Sequence, residues 1–208
     1  MAHLHAVAAV LVPPLCAACG RSCRPGAVLC TRCTRRLAAA EPLGARRGPA
    51  GLDRAWSSAA HEGVARDLVV ALKLRRLLPV AGTIAERIEW LAPASLLSGA
   101  LVPVPTARLR TLRRGFDPAA EIAAALAERT GLPLRPCLAR RGGGRQVGRP
   151  RGRRVGQPPC VEPRGPVPRS ALLVDDVLTT GATLSACARA LRRAGAVRVC
   201  AVTFTRRL

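Results

Sequence analysis

The stretch Asp175-Asp176-Val177-Leu178-Thr179-Thr180-Gly181-Ala182-Thr183 constrains this chain more than any other. Immediately before it, Leu172, Leu173 and Val174 form an uninterrupted apolar run. That is the pattern of a strand buried on both faces of a parallel sheet. The two carboxylates follow at the C-terminal end of the strand, the end at which open α/β sheets bind ligands. Thr179, Thr180, Gly181, Ala182 and Thr183 then lead into a helix running to about Arg193. Gly181 permits a tight turn in which successive N–H groups converge on an anion. The helix N-terminus adds orphan N–H groups and partial positive charge, and three threonine hydroxyls add further donors. A phosphate fits the loop, and a diol or metal-bound group fits against the aspartates. A phosphorylated sugar carries both features. The bland alternative is a strand–turn–helix whose aspartates cap the turn. Capping needs one acidic residue, and explains neither the second nor the threonine-rich loop.

The rest of the chain has room for one α/β domain and a small module: 208 residues, 49% of them hydrophobic. Basic residues number 34 against 12 acidic, a net charge of +22. Such an excess predicts attraction to polyanions. Lys73 is the only lysine, and the arginine, alanine, glycine and proline bias reads as a GC-rich coding background that contributes part of the charge. With two Trp, two Phe and no Tyr, a stacking platform for single-stranded nucleic acid is not expected. The apolar run from Ala6 to Leu15 is too short to span a bilayer and has no basic stretch before it, so the reading is cytoplasmic, with no membrane span.

Residues 1–40 read as a zinc-knuckle module and 41–208 as the main domain. Cys16-x-x-Cys19 and Cys30-x-x-Cys33 can each set two thiolates on one metal, and four soft ligands make a closed structural site. Cys23 competes as a replacement for Cys19 or stays a free thiol. A redox role would need a single pair, and His3 and His5 are N-terminal residues without an assigned role. Residues 41–52, rich in Pro, Gly and Arg, read as a linker. Leu52 to Ala60 reads as a strand. Glu62 to Arg75 reads as a helix with Val64, Leu68, Val69 and Leu72 on one face, and Thr83 to Leu91 as another.

Lys73 is either a compact ammonium wanted at a site or a solvated cation at a helix C-terminus. Ala100 to Pro105 reads as a buried strand that its prolines end. Thr106, Arg108, Arg110, Arg113 and Arg114 behind it suit a second anion. Asp117 and Pro118 read as N-cap and first residue of a helix over Ala119–Arg129 that Gly131 stops. Leu134 to Leu138 reads as a further strand. Arg140 to Gln157, nearly free of apolar residues, is either a substrate-closing lid or a solvated basic segment. Val197 to Thr205 closes the chain as a strand.

The Asp-Asp to Thr-Thr-Gly-Ala-Thr stretch resembles the 5-phosphoribosyl 1-pyrophosphate (PRPP) signature of type I phosphoribosyltransferases. The full order of motifs is a four-cysteine knuckle, Leu72-Lys73, Val102-Pro103-Val104-Pro105, Arg113-Arg114-Gly115-Phe116, an Arg/Gln segment and then that signature. It resembles the ComF family of bacterial proteins over nearly the whole chain. The resemblance implies a zinc finger joined to a phosphoribosyltransferase domain, with Mg²⁺ accompanying PRPP. For some members it also implies a link to natural competence, with DNA or DNA-uptake and recombination proteins as partners. Carried over by position, Asp175 and Asp176 would meet the ribose hydroxyls as the catalytic pair, and Thr179, Thr180, Gly181, Ala182 and Thr183 the 5-phosphate. Pro103, Val104, Pro105, Thr106 and Arg108, with Lys73 and Arg114, would face pyrophosphate. Cys16, Cys19, Cys30 and Cys33 would hold zinc. The chain departs from the family pattern at Asp117 and Gln157, where Asn is usual, and at Arg149, where a leucine is usual. Gln146 and Arg154 match.

In such an enzyme a nucleophile attacks C1 of the ribose while pyrophosphate leaves. No base for that nucleophile can be picked from the residues. His61 is the titratable candidate, with a structural histidine as its alternative. A binding module without turnover, acting on nucleic-acid or protein partners, and a PRPP sensor are the other readings.

Overall fold

The computed structural model describes residues 14–46, 48–140 and 159–208. The Ala6–Leu15 run up to residue 13, with His3 and His5, lies outside them, as does the Arg140–Gln157 segment from residue 141 onward, with Gln146, Arg149, Arg154 and Gln157.

In chain order the elements are α1 (Thr31–Ala38), β1 (Leu43–Arg46), β2 (Arg54–Ala60), α2 (Gly63–Arg75), α3 (Pro79–Leu91), β3 (Ala100–Pro103), α4 (Arg108–Arg114) and α5 (Pro118–Thr130). Then follow β4 (Leu138–Arg140), β5 (Val161–Pro163), β6 (Ser170–Leu178), α6 (Ala182–Arg193) and β7 (Arg198–Arg206). Five strands form one sheet in the order β1-β2-β7-β6-β3. β2, β7, β6 and β3 run parallel, and β1 is antiparallel at the edge. β4 and β5 make a separate antiparallel ribbon. The α/β expectation of a mostly parallel sheet flanked by helices therefore holds.

Strand alternation sorts the apolar residues into two cores. On one face Leu172 and Val174 of β6, with Cys200, Val202 and Phe204 of β7, pack with Leu68 and Leu72 of α2, Ile84 and Ile88 of α3, and Ile122 and Leu126 of α5. On the other, Ala171 and Leu173 of β6 and Val199 and Ala201 of β7 pack with Leu184, Cys187 and Leu191 of α6 and with Leu138 and Val161 of the ribbon. Leu172, Leu173 and Val174 are fully buried, as a strand covered on both faces requires.

The cysteine segment packs against the sheet. Cys16, Ala17, Leu29, Cys33 and Leu37 belong to the first core. Arg87 of α3, 8% exposed, fastens the module: its guanidinium donates to the carbonyls of Leu37, Ala40 and Ser58. Burial lowers its pKa, and three carbonyl acceptors offset part of that desolvation.

Several boundaries differ from the sequence expectation. The 41–52 linker contains β1, an edge strand with too little apolar patterning to announce itself. α3 begins at Pro79 rather than Thr83, because proline is favoured in the first helical turn and Gly82 is tolerated inside the helix. The arginines after β3 form α4 rather than a plain loop. The expected Leu134–Leu138 strand shrinks to a bridge from Leu134 to Leu101 and a strand that starts at Leu138. Asp117 caps α5 as expected, accepting from the Ala119 N–H at 3.1 Å, and Gly131 ends it in the left-handed region.

Candidate functional site

Parallel pairing brings the carboxyl ends of β2, β7, β6 and β3 to one edge of the sheet, and the candidate residues gather there. β6 does not end before the acidic pair. It runs on to Leu178, because Asp175 lies opposite Thr203, and Val177 and Leu178 lie opposite Thr205 and Arg206 in the β6–β7 ladder. Successive strand residues face opposite ways, so the two aspartates diverge. Asp176, 5% exposed, points to the α2 side, where the Lys73 ammonium pairs with its Oδ2. Asp175 points to the α6 side, where its charge helps hold the buried Cys187 thiol up at about 12, after the larger effect of burial. Asp175 Oδ1 accepts from the Asp176 N–H at 2.9 Å. Burial first, then the neighbouring Asp176 charge, raises the Asp175 carboxyl well above its ordinary 3.8.

The turn after β6 is open to solvent at Thr179, Thr180 and Ala182, while Gly181 is buried. Gly181 sits at φ 75°, and a Cβ there would lie 2.4 Å from Pro49 Cγ. Only glycine combines that backbone with that approach. Gly181 has no side chain to cap α6, and the Ala182 N–H donates to Thr180 Oγ1 at 3.4 Å, so the N–H groups of Thr183 and Leu184 are the ones turned toward a ligand.

Across the edge, Val104 N donates to the Val174 carbonyl at 3.0 Å, seating the Pro103–Thr106 segment beside β6. Thr106 is engaged: its N–H and Oγ1 donate to the Asp117 carboxylate at 3.0 and 2.9 Å. Asp117 thus ties this segment to the start of α5 while capping the helix. Arg108 opens α4, and its side chain lies outside the described residues. Arg114 ends α4 ahead of Gly115, which takes the left-handed region.

α2 ties these parts together. It leaves the end of β2, and at its far end Arg76 donates to the Arg113 carbonyl of α4 at 2.7 Å. Lys73 meets Asp176 one turn earlier, and Arg75 donates to the Ala17 carbonyl in the first cysteine knuckle. Lys73, expected at pyrophosphate, is therefore directed at a carboxylate within the same cluster.

His61, the titratable candidate of the sequence with a structural role as its alternative, stands at the same edge. Its Nδ1 lies 2.8 Å from Thr205 Oγ1, and its N–H donates to the Arg206 carbonyl. Thr205 has no signal in the sequence beyond its place in an apolar strand, since only the β6–β7 register brings it to His61.

The Sγ atoms of Cys16, Cys19, Cys30 and Cys33 all lie within 4.8 Å of one another. A tetrahedron with Zn–S bonds of about 2.3 Å has edges of about 3.8 Å, and Cys19 Sγ and Cys30 Sγ are 3.7 Å apart. Cys16 is raised by burial, yet N–H groups of Cys19, Cys30 and Ala18 outweigh this and bring it to about 6. Burial and hydrogen bonds to the other three thiols push Cys33 up instead. Crowded thiols that ionise unequally are the donor set a soft dication neutralises, so the four cysteines can hold a metal such as zinc. Cys23 stays outside the set: its thiol donates to the carbonyls of Pro14 and Ala27 at 3.3 and 3.2 Å. Among the described residues, no helix is long and apolar enough to cross a membrane.

No family model matches the chain, and no curated protein matches it. Among solved structures it is similar to the orotate phosphoribosyltransferase from Aeropyrum pernix, at 22% identity over 82% of this chain and 78% of that one, with a TM-score of 0.34.

Proposed function

We propose that this chain is a phosphoribosyltransferase-type protein of the ComF kind, which binds PRPP or a related ribose 5-phosphate with its Mg²⁺ at the carboxyl edge of the sheet. The observation that carries the reading is the β6–turn–α6 unit. A carboxylate pair there precedes an exposed, threonine-rich turn at an uncapped helix N-terminus. Asp175 and Asp176 take the ribose hydroxyls, approached over the end of β6 because the two side chains diverge. Thr179, Thr180, Gly181, Ala182 and Thr183 cradle the 5-phosphate with backbone N–H groups and hydroxyls. Pro103, Val104, Pro105, Thr106 and Arg108 face pyrophosphate, with Arg114 and Lys73 as cations. Lys73 reaches it by exchanging its Asp176 partner for a phosphate oxygen.

When bound with the substrate, Mg²⁺ would supply positive charge against the negative charge of the departing pyrophosphate. The transition state at C1 resembles an oxocarbenium ion, and each donor aimed at the leaving group contributes roughly 3 kcal/mol. The four cysteines hold zinc as a structural ion in a knuckle module over residues 1–40, attached to a ribose-phosphate domain over 41–208. A closed four-thiolate shell leaves no position for substrate.

Calorimetry with PRPP and Mg²⁺ tests the pocket. The wild type should bind, and the Asp175→Ala/Asp176→Ala variant should not; equal affinity in both discards the assignment. The net charge of +22 favours a second reading, in which a cytoplasmic protein of this kind serves DNA uptake through a nucleic-acid partner. Affinity for duplex DNA should then fall steeply with salt and be lost when the arginines of 140–154 are neutralised. Binding indifferent to both excludes it.

A further inference from the structure

Beside the acidic pair, the ends of β2 and β7 open into a cleft of about 410 Å³ lined by Ala60, His61, Glu62, Arg66, Arg207 and Leu208. The ribose phosphate reading uses none of these residues. The hydrogen-bond geometry beneath the cleft points to one tautomer of its histidine. Thr205 Oγ1 lies 3.3 Å from the Asp176 carbonyl oxygen and 2.8 Å from His61 Nδ1. The Asp176 carbonyl can only accept, and the threonine hydroxyl is directed at it as donor. The hydroxyl oxygen then accepts, and His61 Nδ1 carries the hydrogen it receives. A neutral ring held this way has its lone pair on Nε2.

The surrounding charges favour that neutral ring. Burial lowers the His61 pKa from 6.5, and Arg207, Lys73 and Arg66 lower it further against the opposing pull of Asp176. Glu62 supplies an exposed carboxylate at the rim. The cleft therefore pairs a proton acceptor with two arginines, next to the carboxylates assigned to the ribose.

We propose that this cleft is the acceptor subsite: it takes an acceptor with an ionisable N–H or O–H beside an anionic group, and His61 Nε2 receives the proton. The proposal rests on the ribose phosphate reading above. Arg66 and Arg207 bind the anionic group. The acceptor's N–H or O–H bond breaks, its proton passes to Nε2, and the freed electron pair forms the bond to ribose C1. The C1–O electron pair departs with pyrophosphate. Acceptors without an anionic group bind about fivefold more weakly, because they forgo the two exposed ion pairs.

The test is nitrogen NMR of the full chain with labelled histidine, His61 being assigned by its loss in His61→Gln, and with benzoate as the anionic probe. Wild-type His61 should be the Nδ1–H tautomer. Thr205→Ser should keep that tautomer and Thr205→Val should lose it, and the response of Nε2 to benzoate is what a merely structural histidine would lack. Benzoate should shift Nε2 and raise the His61 pKa. Arg66→Ala/Arg207→Ala should weaken benzoate about fivefold, the loss expected for two exposed ion pairs. An Nε2–H tautomer in the wild type overturns the proposal. So do His61 signals that benzoate leaves unmoved both with and without PRPP and Mg²⁺. PRPP binding is measured separately on the wild type. A benzoate response without PRPP binding would leave an anion cleft and sink its role as an acceptor subsite.

Discussion

Asp176 is nearly enclosed, and the Lys73 ammonium offsets its charge. Removing one partner of such a pair leaves an uncompensated charge, whereas removing both does not. Lys73→Met should cost about 3 kcal/mol in urea unfolding, and Lys73→Met/Asp176→Asn should return to within about 1 kcal/mol of the wild type. Additive losses would show that the pair is not coupled. Asp175 makes the opposite demand. Its carboxyl is held above 3.8 by burial and by the Asp176 charge, so the folded chain keeps a proton that the unfolded chain has released. Stability therefore falls as pH rises from about 3.8 through the folded value. Asp175→Asn should remove that decline and leave the protein more stable at pH 7. Urea midpoints measured across this range check it, and an unchanged slope rules it out.

The turn between β6 and α6 depends on one residue without a side chain. Gly181→Ala must place a Cβ 2.4 Å from Pro49 Cγ at φ 75°. It should destabilise by about 2 kcal/mol and weaken PRPP by displacing the turn, as paired melting and calorimetry would reveal. Stability and affinity both unaltered would mean that Pro49 yields freely. This unit was the most legible part of the chain, because each of its signals is local: an apolar run, two carboxylates, a glycine and a helix start. Elements whose evidence is distant were harder to read. Aspartates are poor strand residues, so the extension of β6 through Asp175 and Asp176 comes from pairing with Thr203 and Thr205, which spacing alone cannot disclose. The Lys73–Asp176 pair and the His61–Thr205 contact have the same cause. β1 was missed because Leu43-Gly44-Ala45-Arg46 carries no alternation; β2 beside it makes it a strand.

For the molecule as a whole, the cysteine knuckle and the sheet share one apolar core, although the sequence divides into a module and a domain. Metal loss should therefore be felt throughout. Stripping metal with a chelator should lower the calorimetric midpoint of the single transition by about 10 °C. A second transition that survives chelation at its original temperature would show that residues 41–208 stand alone. Arg87, which joins the module to the sheet, has a consequence in time as well. Its guanidinium gains its acceptors only when the chain around Leu37, Ala40 and Ser58 has converged. Before that, the cation would shed water and receive nothing in exchange. The contact is therefore expected to form after the folding barrier. Arg87→Met should speed unfolding while barely slowing refolding in a chevron plot. On that outcome Arg87 would govern how long the native state lasts once formed, rather than how fast it is reached.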